Sequence, residues 1–341
     1  MSSTDSPDTR TAAPQVPPAG PGSRAGAGET VRAVTLPGLT LYVRTPAGTP
    51  ADGDAPGREP ALCVHGLGGS SQNWSALMPL LAGRVDGEAL DLPGFGQSPP
   101  PEDGNYSVSA QSRAVIRYLD AAGRGPVHLI GNSMGGAVST RVAAVRPDLV
   151  RTLTLVSPAL PELRPQLTAL PTALLAVPGV ARLFSNATRD WTPERRTREV
   201  LALCYGDPGR ITPESLREAA DEYARRLQLP YFWEVMERST RGLVNAYTLG
   251  GQHNLWRQAE RVLAPTLLVY GGRDRLVSYR MARRAAAAFR GSRLLTLPEA
   301  GHVAMMEYPE AVARAVRELL AANAVPDAED LTDVTADAGR S

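Results

Sequence analysis

The run GNSMGG at residues 131–136 places Ser133 between glycines in the pattern G-x-S-x-G. An apolar segment that predicts a strand precedes the run, and a segment that predicts a helix follows it. In that setting the pattern is typical of a sharp turn that raises a serine hydroxyl above a sheet, at a helix start whose dipole favours negative charge. Side chains larger than glycine would collide with the neighbouring strand and helix. We therefore predict that Ser133 is a nucleophile.

A serine hydroxyl is a weak nucleophile, so it needs a base and a third group that orients the base. Asp274 and His302 follow Ser133 in the chain order Ser, Asp, His, which is known for this arrangement. Each follows an apolar segment that predicts a strand, residues 266–270 and 293–297. The carboxyl ends of such strands are where open α/β sheets bind ligands. We predict His302 as the general base and Asp274 as its orienting acid.

Two other carboxylates compete for the role of the acid. Asp91 lies in the run DLPGFGQS upstream of the serine, where an aspartate more often shapes a turn. Glu162 is the first carboxylate after the predicted strand at residues 152–156. Asp91 precedes Ser133 and so breaks the expected chain order, and Glu162 does not directly follow the end of its strand, so Asp274 keeps the assignment.

The remaining histidines, His65, His128 and His253, show no spacing that is typical of metal ligands, and neither do Cys63 and Cys204. We therefore expect no metal and no cofactor. The two cysteines are expected to be packed thiols and not a disulfide, because one lies in a predicted strand and the other far away in a helical stretch.

The charge balance gives no sign of a polyanionic partner. The chain of 341 residues has 36 Lys and Arg against 35 Asp and Glu, a net charge of +1. This near-balance gives no electrostatic reason to expect a nucleic acid or an anionic membrane as partner. No apolar run approaches the roughly 20 residues of a membrane span, and the first residues lack the apolar stretch of a secretory signal. We expect a cytoplasmic protein with no membrane span.

Short apolar segments alternate with helical ones along most of the chain. Residues 31–36 and 40–44 flank a Pro-Gly turn and predict an antiparallel hairpin. Further strands are expected at residues 61–64, 89–92, 127–130, 152–156, 266–270 and 293–297, and helices at 74–82, 108–122, 133–145, 279–289 and 309–322. Such alternation predicts a mostly parallel sheet that is covered by helices on both faces.

The alternation is interrupted once, and both ends of the chain differ from the rest in composition. Residues 158–255 hold helical stretches and no clear strand, which predicts a helical cap inserted into one core formed by residues 31–157 and 256–324. Residues 1–30, rich in Pro, Gly, Ala and Ser, and the acidic residues 325–341 are expected to be disordered.

Five features together resemble the α/β-hydrolase superfamily: the run HGLGG at residues 65–69, DLPGFGQS at 91–98, GNSMGG at 131–136, Asp274, and the pair GH at 301–302. The resemblance implies an α/β-hydrolase fold, with a central sheet, helices on both faces and a helical cap.

The resemblance also implies an oxyanion hole. The backbone N–H groups of Leu67 and Met134 would form it, with Gly68 as the alternative to Leu67. A donor of this kind typically contributes about 2.7–4 kcal/mol to catalysis. By the same resemblance His65 would be a structural residue of its loop and not a second base.

The leading functional hypothesis is an esterase or lipase-like enzyme that cleaves a small or medium apolar ester through an acyl-Ser133 intermediate. The alternatives are a carbon–carbon bond hydrolase of aromatic degradation, in whose subfamily GNSMGG is common, and a cofactor-free perhydrolase or haloperoxidase-like enzyme. A non-enzymatic member that binds a small ligand is the third alternative. The aliphatic run VAMM at residues 303–306 either lines an acyl pocket or packs the last helix. The oligomeric state and the natural substrate are left open.

Overall fold

The computed structural model describes residues 29–46, 58–162 and 164–324. Eight strands form one sheet in the order β1-β2-β4-β3-β5-β6-β7-β8. The strands are β1 (Thr30–Leu36), β2 (Leu39–Thr45), β3 (Glu59–Val64), β4 (Val85–Asp91), β5 (Val127–Asn132), β6 (Val150–Val156), β7 (Thr266–Gly271) and β8 (Arg293–Leu297). The pairs β1–β2 and β2–β4 are antiparallel, and the five other pairs are parallel. The predicted hairpin and the mostly parallel sheet are therefore confirmed.

Helices cover both faces of this sheet. They are α1 (Met78–Leu81), α2 (Val108–Ala122), α3 (Met134–Val145), α4 (Leu170–Leu174), α5 (Val180–Ala187), α6 (Pro193–Cys204), α7 (Pro213–Leu227), α8 (Phe232–Thr248), α9 (Leu255–Ala259), α10 (Met281–Ala288), α11 (Ala304–Glu307) and α12 (Pro309–Ala321). Successive residues of a strand point to opposite faces. Leu129 of β5 packs in the core on the side of α2, α3 and α10, and its neighbour Ile130 packs in the core on the side of α1 and α12. The predicted fold class is confirmed.

Two elements differ from the sequence prediction. The strand expected at residues 89–92 begins earlier, at Val85. The prediction missed its first residues because they include Asp86 and Glu88, which are buried within β4 and paired with Arg124. Buried carboxylates are tolerated when they are paired, and they hide the apolar pattern of a strand. The helix expected at residues 74–82 is instead a 3₁₀ turn followed by the short α1.

Helices α4 to α8 are inserted between β6 and β7, and no strand occurs in the part of residues 158–255 that the structure describes. Helix α9 follows and packs on α3 with Leu255 in the core. The domain boundaries at residues 158 and 255 stay predictions. The predicted disordered segments, residues 1–30 and 325–341, lie outside the described residues apart from 29 and 30.

Among the described helices, none is both long enough and apolar enough to cross a bilayer. Cys63 and Cys204 are free thiols. The described ranges contain no group of three or more His, Cys, Asp or Glu side chains that could hold a metal ion.

Candidate active site

Ser133 sits on the turn between β5 and α3 in a strained backbone conformation, with φ 53° and ψ −118°. Its N–H donates to the carbonyl of Val156 (3.1 Å), which fixes the turn to the neighbouring strand. A Cβ on Gly131 would lie 2.6 Å from the carbonyl oxygen of Gly135. A Cβ on Gly135 would lie 2.2 Å from the carbonyl oxygen of Val64. The glycines therefore permit a close approach of strand, turn and helix, as the motif predicts.

His302 and Asp274 meet at the same edge of the sheet. The Nδ1 atom of His302 lies 2.9 Å and 3.2 Å from the two carboxylate oxygens of Asp274. One of these oxygens also accepts the backbone N–H groups of Leu276 (2.8 Å) and Val277 (2.9 Å). Burial alone would raise the pKa of Asp274, but the imidazole and the two N–H donors outweigh it, so this pKa is lowered. The carboxylate is thus held ionised against the imidazole.

Asn132 joins the turn of Ser133 to the loop of His302. Its Nδ2 donates to the carbonyl oxygens of Val156 and His302, both at 3.0 Å. The side chain is buried, so these bonds are shielded from water. Sequence reasoning treated Asn132 only as a variable position of the motif. The structure shows that it fixes the distance between the two loops.

The two atoms that are predicted to react have no hydrogen-bond partner among the described residues. Neither Ser133 Oγ nor His302 Nε2 makes a hydrogen bond to any group within the described ranges. Ser133 is partly exposed, while Asn132 and Met134 on either side are buried. Bonds between a nucleophile and its base are often long in a free enzyme and tighten when substrate binds.

Two loops present backbone N–H groups near Ser133. A Cβ on Gly66 would lie 3.0 Å from the Cβ of Ser133, so the loop that contains Leu67 packs directly against the turn. The N–H groups of Leu67, Gly68 and Met134 have no acceptor within the described part of the chain. Met134 is the first residue of α3, where N–H groups are free by geometry. Leu67 and Met134 stay the predicted oxyanion-hole residues, with Gly68 as the alternative to Leu67.

Residues 60–309 match the sequence family described as alpha/beta hydrolase fold. The chain belongs to this family.

Two curated relatives of this α/β-hydrolase are enzymes of acyl chemistry. It is 30% identical over 253 residues to the dihydrolipoyllysine-residue acetyltransferase component of the acetoin cleaving system of Cupriavidus necator, a match that covers 74% of this chain and 60% of that protein. The chain thus spans less than two thirds of that relative's length. It is 27% identical over 273 residues to the pimeloyl-(acyl-carrier protein) methyl ester esterase of Neisseria meningitidis, covering 75% of this chain and 91% of that one.

Solved structures of two hydrolases superpose well on this α/β-hydrolase. A membrane phospholipase A described as a bacterial virulence factor gives a TM-score of 0.68 at 24% identity, covering 87% of each chain. The 2-hydroxy-6-oxo-6-phenylhexa-2,4-dienoate hydrolase of Rhodococcus sp. strain RHA1 gives 0.64 at 21% identity, covering 85% of this chain and 95% of that one. At these identities the likeness shows the fold alone.

In this α/β-hydrolase His65 is a structural residue, as the resemblance implied. It is fully buried, and its Nε2 accepts the N–H of Leu92 (3.0 Å), so its Nδ1 carries the hydrogen and donates to the carbonyl of Gly66 (2.7 Å). Burial lowers the pKa of His65 and keeps the ring neutral. Asp91 accepts the N–H of Gln97 (2.9 Å) and so shapes its own turn, as predicted.

Glu162, the other competing acid, lies beside the same loop as Asp274. Its carboxylate accepts the N–H of Ser278 at 3.4 Å, and burial raises its pKa. It makes no hydrogen bond to His302, whereas Asp274 makes two contacts with that imidazole. The geometry therefore favours Asp274 as the partner of the base.

The other two histidines lie in structural contacts. His128 contacts Thr152 (2.9 Å) and Glu59 (2.8 Å) through its two ring nitrogens. His253 lies at the surface, 3.3 Å from Arg141. Neither imidazole hydrogen-bonds to the residues around Ser133.

The aliphatic run after His302 packs the protein interior. Met305 is fully buried and Val303 is 7% exposed, and both belong to the core on the side of α12. Met306 is half-buried, and its sulfur accepts a hydrogen bond from Asn73 (3.3 Å). The structure therefore supports the hypothesis that this run packs the last helices over the hypothesis that it lines an acyl pocket.

The inserted helices hold the loop of His302 through Glu307. This buried carboxylate accepts the N–H of Gly301 (2.7 Å) on one side, and those of Gly206 (3.1 Å) and Asp207 (2.8 Å) from the insertion on the other. Three backbone N–H groups from two separate segments thus converge on one carboxylate. Glu307 therefore ties the insertion to the residue next to His302, a role that the sequence did not reveal.

A second tie connects the insertion to the loop of Leu67. Arg226 of α7 donates through Nη1 to the carbonyl of Gly68 and, at 3.5 Å, to that of Gly69. Its Nε lies 3.4 Å from the carboxylate of Glu222, and its side chain is only 11% exposed. A buried guanidinium thus orients the peptide between Gly68 and Gly69, in the loop that contains Leu67. The sequence showed many arginines in this segment but not which of them points inward.

Proposed function

We propose that the protein hydrolyses small or medium apolar carboxylic esters through an acyl-Ser133 intermediate. The observation that carries the proposal is the buried contact between Asp274 and His302 at the sheet edge where Ser133 stands in a strained turn. A nucleophile, a base and an orienting acid at one edge are the parts that acyl transfer requires.

The first half-reaction follows from the tautomer of His302. Asp274 accepts the hydrogen on Nδ1, so Nε2 carries the lone pair and takes the proton of Ser133 Oγ. Oγ attacks the ester carbonyl carbon, and the oxyanion that forms accepts the free N–H groups of Leu67 and Met134. The imidazolium then donates its proton to the departing alkoxide, and the alcohol leaves.

The second half-reaction uses the same groups with water as the nucleophile. His302 removes a proton from water, the hydroxide attacks the acyl carbonyl, and the oxyanion hole again stabilises the tetrahedral state. Collapse of that state breaks the bond to Oγ, which regains a proton from His302. The products are a carboxylic acid and the free enzyme.

Ester chemistry is favoured over carbon–carbon cleavage by the name of a curated relative at 27% identity. That relative is named as a methyl ester esterase. The dienoate hydrolase of Rhodococcus shares the fold at 21% identity.

We expect hydrolysis of p-nitrophenyl acetate, butyrate and octanoate, and negligible cleavage of a ring-fission dienoate, measured as kcat/KM on both substrate types. Ser133→Ala should lower kcat to background, since loss of the nucleophile costs about a million-fold in such a site. Ser139→Ala is the matched control, because Ser139 is a fully buried serine of the same helix α3.

The reverse ranking of the two substrate types would reject ester hydrolysis and favour carbon–carbon cleavage. A Ser133→Ala protein that keeps more than a few per cent of wild-type activity would reject the acyl-Ser133 intermediate.

A further inference from the structure

Large apolar side chains are exposed in one stretch of the insertion, which we call the apolar face: Leu167, Leu170, Leu174, Val177, Leu183 and Phe184. Six of the 13 exposed large apolar side chains among the described residues lie in these 18 positions. Leu167, Leu170 and Leu174 follow the spacing i, i+3, i+7, which places them on one side of a helical segment, and Val177 lies in the turn that follows. Contiguous exposed apolar surface of this kind marks an interaction site.

The apolar face begins beside the catalytic loop. Gln166 donates to the carbonyl of Asp274 (2.8 Å), and Thr168 donates to the carbonyl of Arg275. At its other end Phe184 packs edge-on against Trp233 of α8, with ring centroids 5.9 Å apart. The face is therefore fixed to the edge of the sheet at which Ser133 lies, and whatever covers it borders the site.

The charges of the segment that carries the apolar face are mainly positive, and the packed helix α8 adds Glu237 and Arg241, which form an ion pair with each other. Residues 164–190 contain Arg164, Arg182 and Arg189 against Asp190 alone. Arg164 and Arg182 form no ion pair with any described residue, and Arg189 lies 3.6 Å from Asp190 with both side chains at least 80% exposed. The near-neutral total charge of the chain hides this local excess.

The exposed apolar side chains and the arginines beside them indicate what kind of partner binds the apolar face. We propose that the apolar face docks on a phospholipid surface that contains anionic headgroups. Apolar side chains enter the headgroup–acyl boundary while flanking arginines meet lipid phosphates, as in other peripheral proteins. A second copy of the chain fits less well, because two-fold pairing of the same face would bring its arginines together.

Docking is tested by sedimentation of the full chain with vesicles, in the Ser133→Ala background so that no lipid is hydrolysed. Vesicles of phosphatidylcholine alone are compared with vesicles that also contain about 30 mol% of the anionic lipid phosphatidylglycerol. Binding should be stronger to the anionic vesicles and should weaken with added salt.

Two variants separate the apolar and the charged contributions. Leu167→Ser with Leu183→Ser should lower the partition coefficient at least about tenfold on both vesicle types. Arg164→Ser with Arg182→Ser should lower it on the anionic vesicles alone. Leu263→Ser is the matched control, since Leu263 is as exposed as Leu167 (both 81%) but lies outside the insertion, and it should change binding less than about twofold.

Absence of vesicle binding, or equal loss in the Leu263→Ser control, would overturn the proposal. A wild-type dimer that the double leucine variant converts to a monomer, with no vesicle binding in either, would assign the face to a second copy instead. Thermal unfolding of each variant checks that the fold is retained. Because binding is measured without turnover, its outcome is independent of the proposed esterase activity.

Discussion

His302 is held on three sides by groups that come from different parts of the chain. Asp274 contacts its Nδ1, Asn132 donates to its carbonyl, and its own N–H donates to the carbonyl of Cys204 (2.7 Å). Of the polar atoms of His302, only Nε2 therefore remains available to contact a substrate among the described contacts. A base fixed in this way loses little orientation entropy when it accepts a proton.

The lowered pKa of Asp274 leads to a prediction about the pH dependence of kcat/KM. Because the pKa of Asp274 lies below its ordinary value of about 3.9, the residue stays ionised throughout the range in which an imidazole titrates. On the acidic side of the pH profile, the activity should therefore depend on a single ionisation. A plot of log(kcat/KM) against pH should rise there with a slope of one. Asp274→Asn should lower kcat about ten-thousand-fold, since the imidazole loses the partner that sets its tautomer.

The matched control for that variant is Glu162→Gln, in the neighbouring carboxylate. We expect it to keep most of the activity. A mild effect of Asp274→Asn together with a large effect of Glu162→Gln or of a change at Asp91 would move the acid to another residue.

At the scale of residues, local patterns indicated Ser133, Asp274 and His302 as candidates, because each follows a strand and the order of the three is known; their catalytic roles stay predictions. Asn132 and Glu307 could not be found in this way. Their partners lie on other elements, 170 positions along the chain in the case of the contact from Asn132 to His302. No local spacing reports such a contact.

Helix α7 acts on the site through the carbonyl of Gly68, which Arg226 holds. Loss of this bond should free the Gly68–Gly69 peptide and, through the loop, misplace the N–H group of Leu67 or Gly68 that we predict for the oxyanion hole. We expect Arg226→Met to lower kcat roughly tenfold with little change in KM, less than the loss of a donor itself. The affinity for a trifluoromethyl ketone, which resembles the tetrahedral state, should fall in parallel.

Arg225→Met is the control for this prediction, because Arg225 is also in α7 but binds Gly96 instead of the loop of Leu67. It should leave kcat within about threefold of the wild type. Equal losses in the two variants, or a loss confined to KM, would mean that Arg226 has no specific part in positioning the loop.

The elements were predicted well where the apolar pattern was simple. The strand at Arg293–Leu297 and the helix at Val108–Ala122 have the predicted limits. The pattern failed at β4, where ion pairs satisfy Asp86 and Glu88 inside the sheet. Such pairing depends on Arg124, which comes from a different part of the chain.

In the molecule as a whole, the sheet carries the side chains that we propose to react, and the inserted helices contact the loops that hold them. The sheet end supplies Ser133, Asp274 and His302, and the insertion adds contacts at Gly68 and at Glu307. The break in the strand–helix alternation indicated a helical insertion, whose boundaries stay predictions. It could not predict the side-chain contacts between the two parts, which depend on how they pack.

We therefore expect the insertion to set substrate preference. Residues 158–255 are replaced by the corresponding segment of the pimeloyl-(acyl-carrier protein) methyl ester esterase, with Gly206, Asp207 and Arg226 retained. The ranking of p-nitrophenyl esters by chain length, measured as kcat/KM, should change, while Ser133 stays reactive. An unchanged ranking in a well-folded exchange would show that the sheet edge alone selects the substrate.

The central claim is that Ser133 is the nucleophile and His302 its base. It is tested most directly by the intact mass and peptide map of the protein after reaction with a fluorophosphonate. We expect one adduct per chain, on the peptide that contains Ser133, no adduct in Ser133→Ala, and a much slower reaction in His302→Ala. An active protein that forms no adduct, or forms one on another residue, would contradict the account.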